Sequence, residues 1–225
     1  MNLVVIIILH EIKRIMKFLL IDDHKIIREG LKQILLLHFP SAGFEEGSSA
    51  EDVISKINTS EYDLVICDLS MPGRSGLDVL KQMKELRPNL PVLILSMHPE
   101  EHYALRALKA GAWGYLNKSD GAEVLIPAIQ KVLQGRKYVS GYMAEQLANT
   151  VNGRHASTER LHDALSTREF DVFMLVVEGK SISDISQQLS LSASTVSTHR
   201  ARILTKMNMK NNAELVKYAL QNNLV

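Results

Sequence analysis

The feature that most constrains the fold is an alternation of short apolar runs with longer segments of helical periodicity between residues 17 and 137. The apolar runs are too short and too continuous for amphipathic helices, and they predict strands that are buried on both faces. Strands that alternate with helices form a parallel sheet covered by helices, so we expect an α/β doubly wound, five-stranded parallel sheet. The predicted strands are residues 18–21, 43–47, 64–67, 92–95 and 114–116.

The last third of the chain has clear helix starts and no strand pattern. Ser166 followed by Glu169 forms a capping box, Ser181 and Ser192 begin two further helices, and a fourth helix is predicted over residues 212–221. An Asn- and Gly-containing stretch without apolar periodicity precedes these helices and indicates a linker. The predicted divisions are an extension over residues 1–15, an α/β domain over 16–137, a linker over 138–160 and a small all-α domain over 161–225.

The length of 225 residues and the composition fit two packed domains. A single cysteine, Cys67, can form no internal disulfide and indicates a reducing compartment, so we expect a cytoplasmic protein. The apolar run at residues 3–9 is too short to cross a bilayer and is followed by no cleavage site. We therefore predict no membrane partner. The extension is interpreted as an upstream-start artefact, with an extra strand or a membrane-surface anchor as alternatives.

Polar residues follow the predicted strands of the α/β domain. Asp22 and Asp23 come after the first strand, Asp68 after the third, Ser96 after the fourth and Lys118 after the fifth. The carboxyl ends of parallel strands meet at one edge of the sheet, where such folds bind their ligands. Carboxylates that lie together repel each other unless a cation joins them, and their oxygens suit Mg²⁺. The set has the parts needed for phosphoryl transfer to a carboxylate.

A tight turn at Ser190-Leu191 joins the two helices predicted over residues 181–189 and 192–207, which is the layout of a helix-turn-helix. The second helix would enter the major groove of DNA. From Ser181 to the carboxyl terminus there are five Lys and Arg residues against two acidic residues. Such a basic excess is typical of nucleic-acid contacts, although solvated helices often show it too.

The first domain resembles the flavodoxin-like receiver domains of two-component response regulators. The resemblance is carried by Asp22-Asp23, by the motif from Asp68 through Ser70 to Gly73, by Ser96 and by the stretch from Gly114 to Lys118. It implies that Asp68 is the phosphoacceptor. It also implies that Asp23, Asp68 and the backbone carbonyl of Ser70 bind Mg²⁺ directly, with Asp22 acting through a water molecule. Ser96 and Lys118 would contact the phosphoryl group, and Tyr115 would be a switch aromatic that follows Ser96.

The second domain resembles the LuxR-type DNA-binding domain through Leu165 to Glu169, Ile182 to Ile185 and Ser194 to His199. Together the two resemblances indicate a response regulator of the NarL/FixJ type. They imply a sensor histidine kinase and double-stranded promoter DNA as partners, and a homodimer when active. The DNA-contacting residues implied by the resemblance are Ser194, Ser197, Thr198, Arg200, Ala201, Arg202, Lys206 and Lys210. Many relatives carry a longer polar or basic side chain at the position of Ala201.

Two other functions are compatible with parts of the pattern. Enzymes of the haloacid dehalogenase class also form an aspartyl phosphate, but they carry a second Asp two residues after the nucleophile, where this chain has Ser70. We therefore predict that the chain is not an enzyme. The other alternative is a phosphate-independent regulator that uses the receiver fold as a dimerisation platform, but Asp22, Asp23, Asp68, Ser96 and Lys118 are all present.

Overall fold

A computed structural model of the chain describes residues 15–71, 74–151 and 160–225. Most of the predicted extension, the Pro72-Gly73 part of the motif and part of the predicted linker lie outside these residues. In the first domain the elements are β1 (Lys17–Ile21), α1 (Lys25–His38), β2 (Gly43–Gly47), α2 (Ala50–Thr59), β3 (Leu64–Cys67), α3 (Gly76–Leu86), β4 (Val92–Ser96), α4 (Glu100–Lys109), β5 (Gly114–Asn117) and α5 (Ala122–Leu133).

All four strand pairings are parallel, and the strand order is β2-β1-β3-β4-β5. The predicted five-stranded α/β fold is confirmed. Because side chains of a strand alternate between the two faces, Phe18 and Leu20 pack on one side of the sheet, whereas Leu19 and Ile21 pack on the other. Helices cover both faces, which explains why the strand sequences are continuously apolar rather than alternating.

The two edges of the sheet differ. Edge strand β2 carries Glu45, which pairs with Lys17 at 2.6 Å, and Glu46, which accepts a hydrogen bond from Arg28 Nε at 3.0 Å. Beyond β5 the chain returns along the sheet, so that the Tyr138 backbone N–H donates to the Trp113 carbonyl at 2.7 Å. One edge is therefore lined by charged side chains, and the start of the other is covered by the segment around Tyr138.

After the first domain the chain forms α6 (Gly141–Val151), a short 3₁₀ helix (Leu161–Ala164), α7 (Thr167–Val177), α8 (Ile182–Gln188), α9 (Ala193–Lys206) and α10 (Asn212–Gln221). The predicted capping box is confirmed, because Ser166 and Glu169 make the two reciprocal hydrogen bonds. Ser181, predicted to begin a helix, forms a second capping box with Asp184. Helix α6 lies within the segment that the sequence indicates as a linker. Across the described residues, no helix is long and apolar enough to span a bilayer.

Candidate functional site

The predicted polar residues lie at the carboxyl ends of the strands, as the fold requires. Asp22 and Asp23 follow β1, Asp68 follows β3, Ser96 ends β4 and Lys118 follows β5 by one residue. Helix α3 begins in close contact with the backbone of Asp68 and Leu69 at the end of β3. A Cβ atom on Gly76 would lie only 2.5 Å from the Asp68 carbonyl oxygen, so a side chain cannot be accommodated there without moving backbone.

Lys118 joins the two acidic strand ends. Its ammonium group donates to Asp22 Oδ2 at 2.5 Å and to Asp68 Oδ2 at 2.7 Å, and the three side chains are at most 8% exposed. Desolvation lowers the pKa of Lys118, but the hydrogen bonds and charges of the two carboxylates outweigh that effect, and its pKa is raised. The lysine therefore stays charged and neutralises part of the negative charge of the pocket.

Asp68 is the most deeply buried carboxylate of this pocket, with a side chain that is 1% exposed. Burial raises its pKa, and the hydrogen bond and charge of Lys118 oppose that rise. Only one of its oxygens is engaged by the lysine. Within the described chain, Asp68 Oδ1 is buried without a hydrogen-bond partner. A buried, unpaired carboxylate oxygen is costly, so this atom is poised to take an electropositive partner.

The residues that could hold a metal ion include one that the sequence analysis missed. Asp22, Asp23 and His24 place one donor atom each within 4.8 Å of one another. His24 Nδ1 lies 3.2 Å from Asp22 Oδ1 and 2.9 Å from Asp23 Oδ1, although the second approach makes no hydrogen bond. The oxygens of Asp23 and Asp68 left without hydrogen bonds among the described residues are hard donors, which fits Mg²⁺.

A second missed residue, His98, lies two positions after Ser96 and contacts several parts of the site. Its backbone N–H donates to Ser96 Oγ at 3.2 Å, and its ring Nε2 lies 3.1 Å from Ser70 Oγ. Tyr115, predicted as a switch aromatic, is buried and donates its hydroxyl to the His98 carbonyl at 2.7 Å. The structure therefore brings Ser96 and Tyr115 together around His98.

The helix-turn-helix has the predicted form, with Ser190 in a left-handed conformation (φ 52°) between α8 and α9. Val196, Ile203 and Met207 anchor α9 in the core of the second domain. The opposite face of α9 is exposed to solvent, which is what a helix needs to enter a groove of DNA. Among the predicted DNA contacts, the exposed ones are Ser194, Ser197, Thr198, Ala201, Arg202, Lys206 and Lys210.

Two of the predicted basic contacts are engaged within the protein. Lys206 Nζ donates at 2.6 Å to Glu169 Oε2, a carboxylate that is 4% exposed and belongs to the first capping box. Arg200 is half-buried and donates to Asn212 Oδ1 at 2.7 Å, which ties α9 to the start of α10. Lys206 and Arg200 thus stabilise the second domain, while Arg202 is exposed on the outer face of α9.

The second domain packs against α4 of the first domain. Arg106 on α4 donates to the carbonyls of His162 and Leu165, the latter at 3.1 Å, and its guanidinium carbon lies 4.0 Å from the centroid of the Phe170 ring. Tyr103, also on α4, packs edge-to-face on Phe170. Neither Arg106 nor Tyr103 was predicted, because no local pattern marks a contact with a segment more than 50 residues away.

The comparisons with known proteins agree with this geometry. Residues 18–130 match the response regulator receiver domain, and residues 163–219 match the luxR family of bacterial regulatory proteins. The chain is 31% identical over 206 residues to the response regulator UvrY of Escherichia coli K12, covering 92% of this chain and 94% of that protein. It is 34% identical over 215 residues to the oxygen regulatory protein NreC of Staphylococcus haemolyticus, covering 93% and 99%.

Solved structures show the same fold. A LuxR-family two-component response regulator from Aurantimonas sp. SI85-9A1 has a TM-score of 0.55 at 30% identity and covers 61% of this chain and 99% of its own. RcsB from Salmonella enterica serovar Typhimurium, bound to promoter rprA with the phosphomimetic BeF₃⁻, has a TM-score of 0.59 at 22% identity and covers 91% and 98%.

The fold and the acidic pocket define a regulator that couples a receiver domain to a DNA-binding domain. The matched domains and the relatives identify its family, and the chain belongs to the two-component response regulators of the NarL/FixJ type. It is a DNA-binding transcription regulator, and phosphorylation-dependent control is typical of this family. The family and the fold class predicted from the sequence are both confirmed.

Proposed function

We propose that Asp68 accepts a phosphoryl group from a sensor histidine kinase and thereby controls DNA binding by the second domain. The observation that carries this proposal is the state of the Asp68 carboxylate, with one oxygen held by Lys118 and the other buried and unpaired in the described chain. In the reaction the carboxylate attacks phosphorus, and the bond from phosphorus to the donor nitrogen breaks. Lys118 then neutralises charge on the transferred group.

We infer that Asp23, Asp68 and the Ser70 carbonyl hold Mg²⁺, with Asp22 acting through water. Their oxygens suit this ion, and the oxygens of Asp23 and Asp68 that accept no hydrogen bond from the described residues support the assignment. When bound, the ion neutralises charge on the phosphoryl oxygens. Lys118 alone provides one positive charge against three carboxylates, so an added cation also relieves the repulsion between them.

Ser96 and Tyr115 are proposed to report phosphorylation. Ser96 is fully buried beside the pocket, and its hydroxyl can donate to a phosphoryl oxygen once that group is present. Ser96 Oγ now accepts a hydrogen bond from the His98 backbone N–H, and the geometry of that bond changes when the hydroxyl turns towards the phosphoryl group. Tyr115 is linked to the same residue through the His98 carbonyl, so a change at Ser96 is transmitted to it.

We further propose a receiver domain over residues 16–137, a linker over 138–160 that includes α6, and a DNA-binding domain over 161–225. Phosphorylated chains would form homodimers on paired half-sites of promoter DNA in the cytoplasm, and the chain would act on no other substrate as an enzyme. Ser197, Thr198 and Ala201 are proposed to face the bases. The remaining proposed contacts, mainly to phosphates, are Ser194, Arg200, Arg202, Lys206 and Lys210.

The phosphorylation proposal is tested by incubating the full chain with acetyl phosphate and Mg²⁺. We expect an acid-stable but alkali-labile label on the wild type and on the control variant Asp52→Ala, whose side chain lies on α2, and no label on Asp68→Ala. An unlabelled wild type, or equal labelling of Asp68→Ala, would refute the proposal. Omission of Mg²⁺ should abolish labelling if the assigned oxygens hold the ion.

The DNA-binding proposal is tested by mapping the genomic sites that the protein occupies, with wild type and Asp68→Ala expressed at equal levels. We expect the wild type to occupy a set of paired half-sites under inducing conditions and the variant to lose most of that occupancy. Equal occupancy by the two proteins would show that binding is independent of phosphorylation, and the regulatory part of the proposal would be wrong.

A further inference from the structure

We propose that His98 is a positioning residue that transmits the state of the Asp68 pocket to the DNA-binding domain through Tyr103. The inference rests on the proposed phosphorylation of Asp68. It adds a route by which the pocket and the second domain are connected. The route runs from Ser70 through His98 to Tyr103 on helix α4 and then to helix α7.

On the pocket side, His98 contacts both loops that phosphorylation changes. Its ring Nε2 lies 3.1 Å from the hydroxyl of Ser70, whose backbone carbonyl we assign to Mg²⁺. Its backbone N–H is bonded to Ser96 Oγ, and its carbonyl accepts from Tyr115. A displacement of either loop therefore changes a bond to this one residue.

On the other side, the His98 ring stacks on the ring of Tyr103, with centroids 4.3 Å apart and planes inclined by 19°. Tyr103 is 3% exposed and donates its hydroxyl to Asp171 Oδ1 at 3.2 Å, while its ring packs edge-to-face on Phe170 at 5.3 Å. Asp171 and Phe170 belong to α7 of the second domain. His98 is thus one side chain away from the DNA-binding domain.

The packing around this route leaves room for movement. A cavity of about 490 Å³ lies between the pocket and the second domain, and its lining includes Ser70, His98, Tyr103 and Asp171. A side chain that borders a cavity of this size can reorient without displacing the close-packed core. The His98 ring can therefore follow a movement of the Ser70 loop, and Tyr103 then loses its stacking partner.

The route controls the position of the second domain rather than access to its DNA-reading face. Ser197, Thr198, Ala201 and Arg202 are exposed while α7 packs on α4. Release of the contact would free the domain to pair with a second copy on DNA, because its place on the receiver fixes its orientation. The contact on α4 is therefore the two-state element that the pocket would bias.

The test uses hydrogen exchange of the full chain with and without Mg²⁺ and beryllofluoride, a phosphoryl mimic. ¹⁹F NMR independently reports whether beryllofluoride occupies the pocket. In the wild type we expect the exchange rates of amides in the 3₁₀ helix and α7 to rise about fivefold or more when the pocket is filled. The decisive variant is His98→Phe, which keeps an aromatic ring against Tyr103 but loses the ring nitrogen that faces Ser70.

We expect His98→Phe to bind beryllofluoride and to show wild-type exchange in the resting state, but to lose most of the increase on α7. Met97→Ala, at a neighbouring residue that is 66% exposed, should respond like the wild type. Tyr103→Phe keeps the stacked ring and loses the hydroxyl to Asp171, so its resting exchange on α7 should be raised. The route would be overturned if His98→Phe showed the full increase in exchange on α7. It would also be overturned if a wild type that binds beryllofluoride showed no increase.

Failure of the proposed function has a different signature. A wild type that shows neither a bound ¹⁹F signal nor an acetyl phosphate label has no working phosphoacceptor site, and the transmission through His98 falls with it. A wild type that is labelled at Asp68, together with a His98→Phe variant that responds fully, refutes the route alone.

Discussion

Replacement of Lys118 by Met tests the electrostatics of the acidic pocket. The substitution removes the ammonium group that joins Asp22 to Asp68, and the side chains of this pair are 7% and 1% exposed. Breaking a buried ion pair by removing one partner costs about 3–5 kcal/mol, because the remaining charge is buried without compensation. We expect the free energy of unfolding to fall by about 3 kcal/mol at pH 7, near the lower end of this range, because Asp68 can take up a proton instead.

The loss of unfolding free energy in Lys118→Met depends on pH. Burial already raises the pKa of Asp68, and removal of Lys118 raises it further. An acid whose pKa is higher in the folded state binds more protons when folded. Its ionised form therefore destabilises the folded protein fully above the folded pKa, and this destabilisation disappears as the pH falls to the pKa of the unfolded chain. The difference in unfolding free energy between wild type and Lys118→Met should therefore shrink from pH 7 to pH 4.

The assay is urea unfolding of both proteins at several pH values, with and without Mg²⁺. Lys25→Met is the matched control, because Lys25 pairs with Glu29 on the surface at 3.6 Å with side chains 76% and 58% exposed. Such a pair contributes about 0–1 kcal/mol. Mg²⁺ should stabilise Lys118→Met more than the wild type. Equal losses for the two variants, or a loss for Lys118→Met that grows as the pH falls, would refute the reasoning.

Other predictions follow from single contacts. Gly76→Ala should lower stability by about 1–3 kcal/mol and reduce labelling of Asp68, since its Cβ would strike backbone; thermal unfolding and acetyl phosphate labelling check this. Burial raises the pKa of Asp171 to about 6, so the folded protein loses stability as the pH rises from 4 to 6 and this carboxyl ionises. Asp171→Asn should remove that loss, as measured by urea unfolding. On random-sequence duplex DNA, Arg202→Met should reduce the slope of the logarithm of the binding constant against the logarithm of the salt concentration by about 1. Lys206→Met should in addition lower the melting temperature, because Lys206 pairs with the buried carboxylate of Glu169.

The sheet and the helices of the second domain were predictable because their signals are local. A continuously apolar run such as residues 64–67 indicates a buried strand wherever it lies in a chain, and a capping box such as Ser166 with Glu169 indicates a helix start. Helix α6 was not predicted, because the Asn- and Gly-containing stretch at its carboxyl end indicates a linker, and of its described side chains only Met143 is buried. The five-residue acidic site was predictable for a topological reason, since parallel strands end at one edge.

The remaining parts depend on contacts between distant segments. His98 and Arg106 carry no motif, and their importance comes from partners such as Ser70 and Leu165, which lie 28 and 59 residues away in sequence. Lys206 shows the same limit. Its basic side chain on the second helix of the helix-turn-helix predicts a DNA contact, but no local pattern marks its ion pair with the buried carboxylate of Glu169, which lies 37 residues earlier in the sequence.

The unequal edges of the sheet have a consequence for the solubility of the chain at high concentration. An open edge strand is a template on which a second molecule can add its own strand and start an aggregate. At β5 the segment around Tyr138 occupies that position. At β2 the deterrent is charge, and hydrogen bonds from Lys17 and Tyr62 lower the pKa of Glu45, so that its carboxylate stays ionised in mildly acidic solution. Neutral substitutions at Glu45 and Glu46 should therefore favour aggregation before they affect signalling.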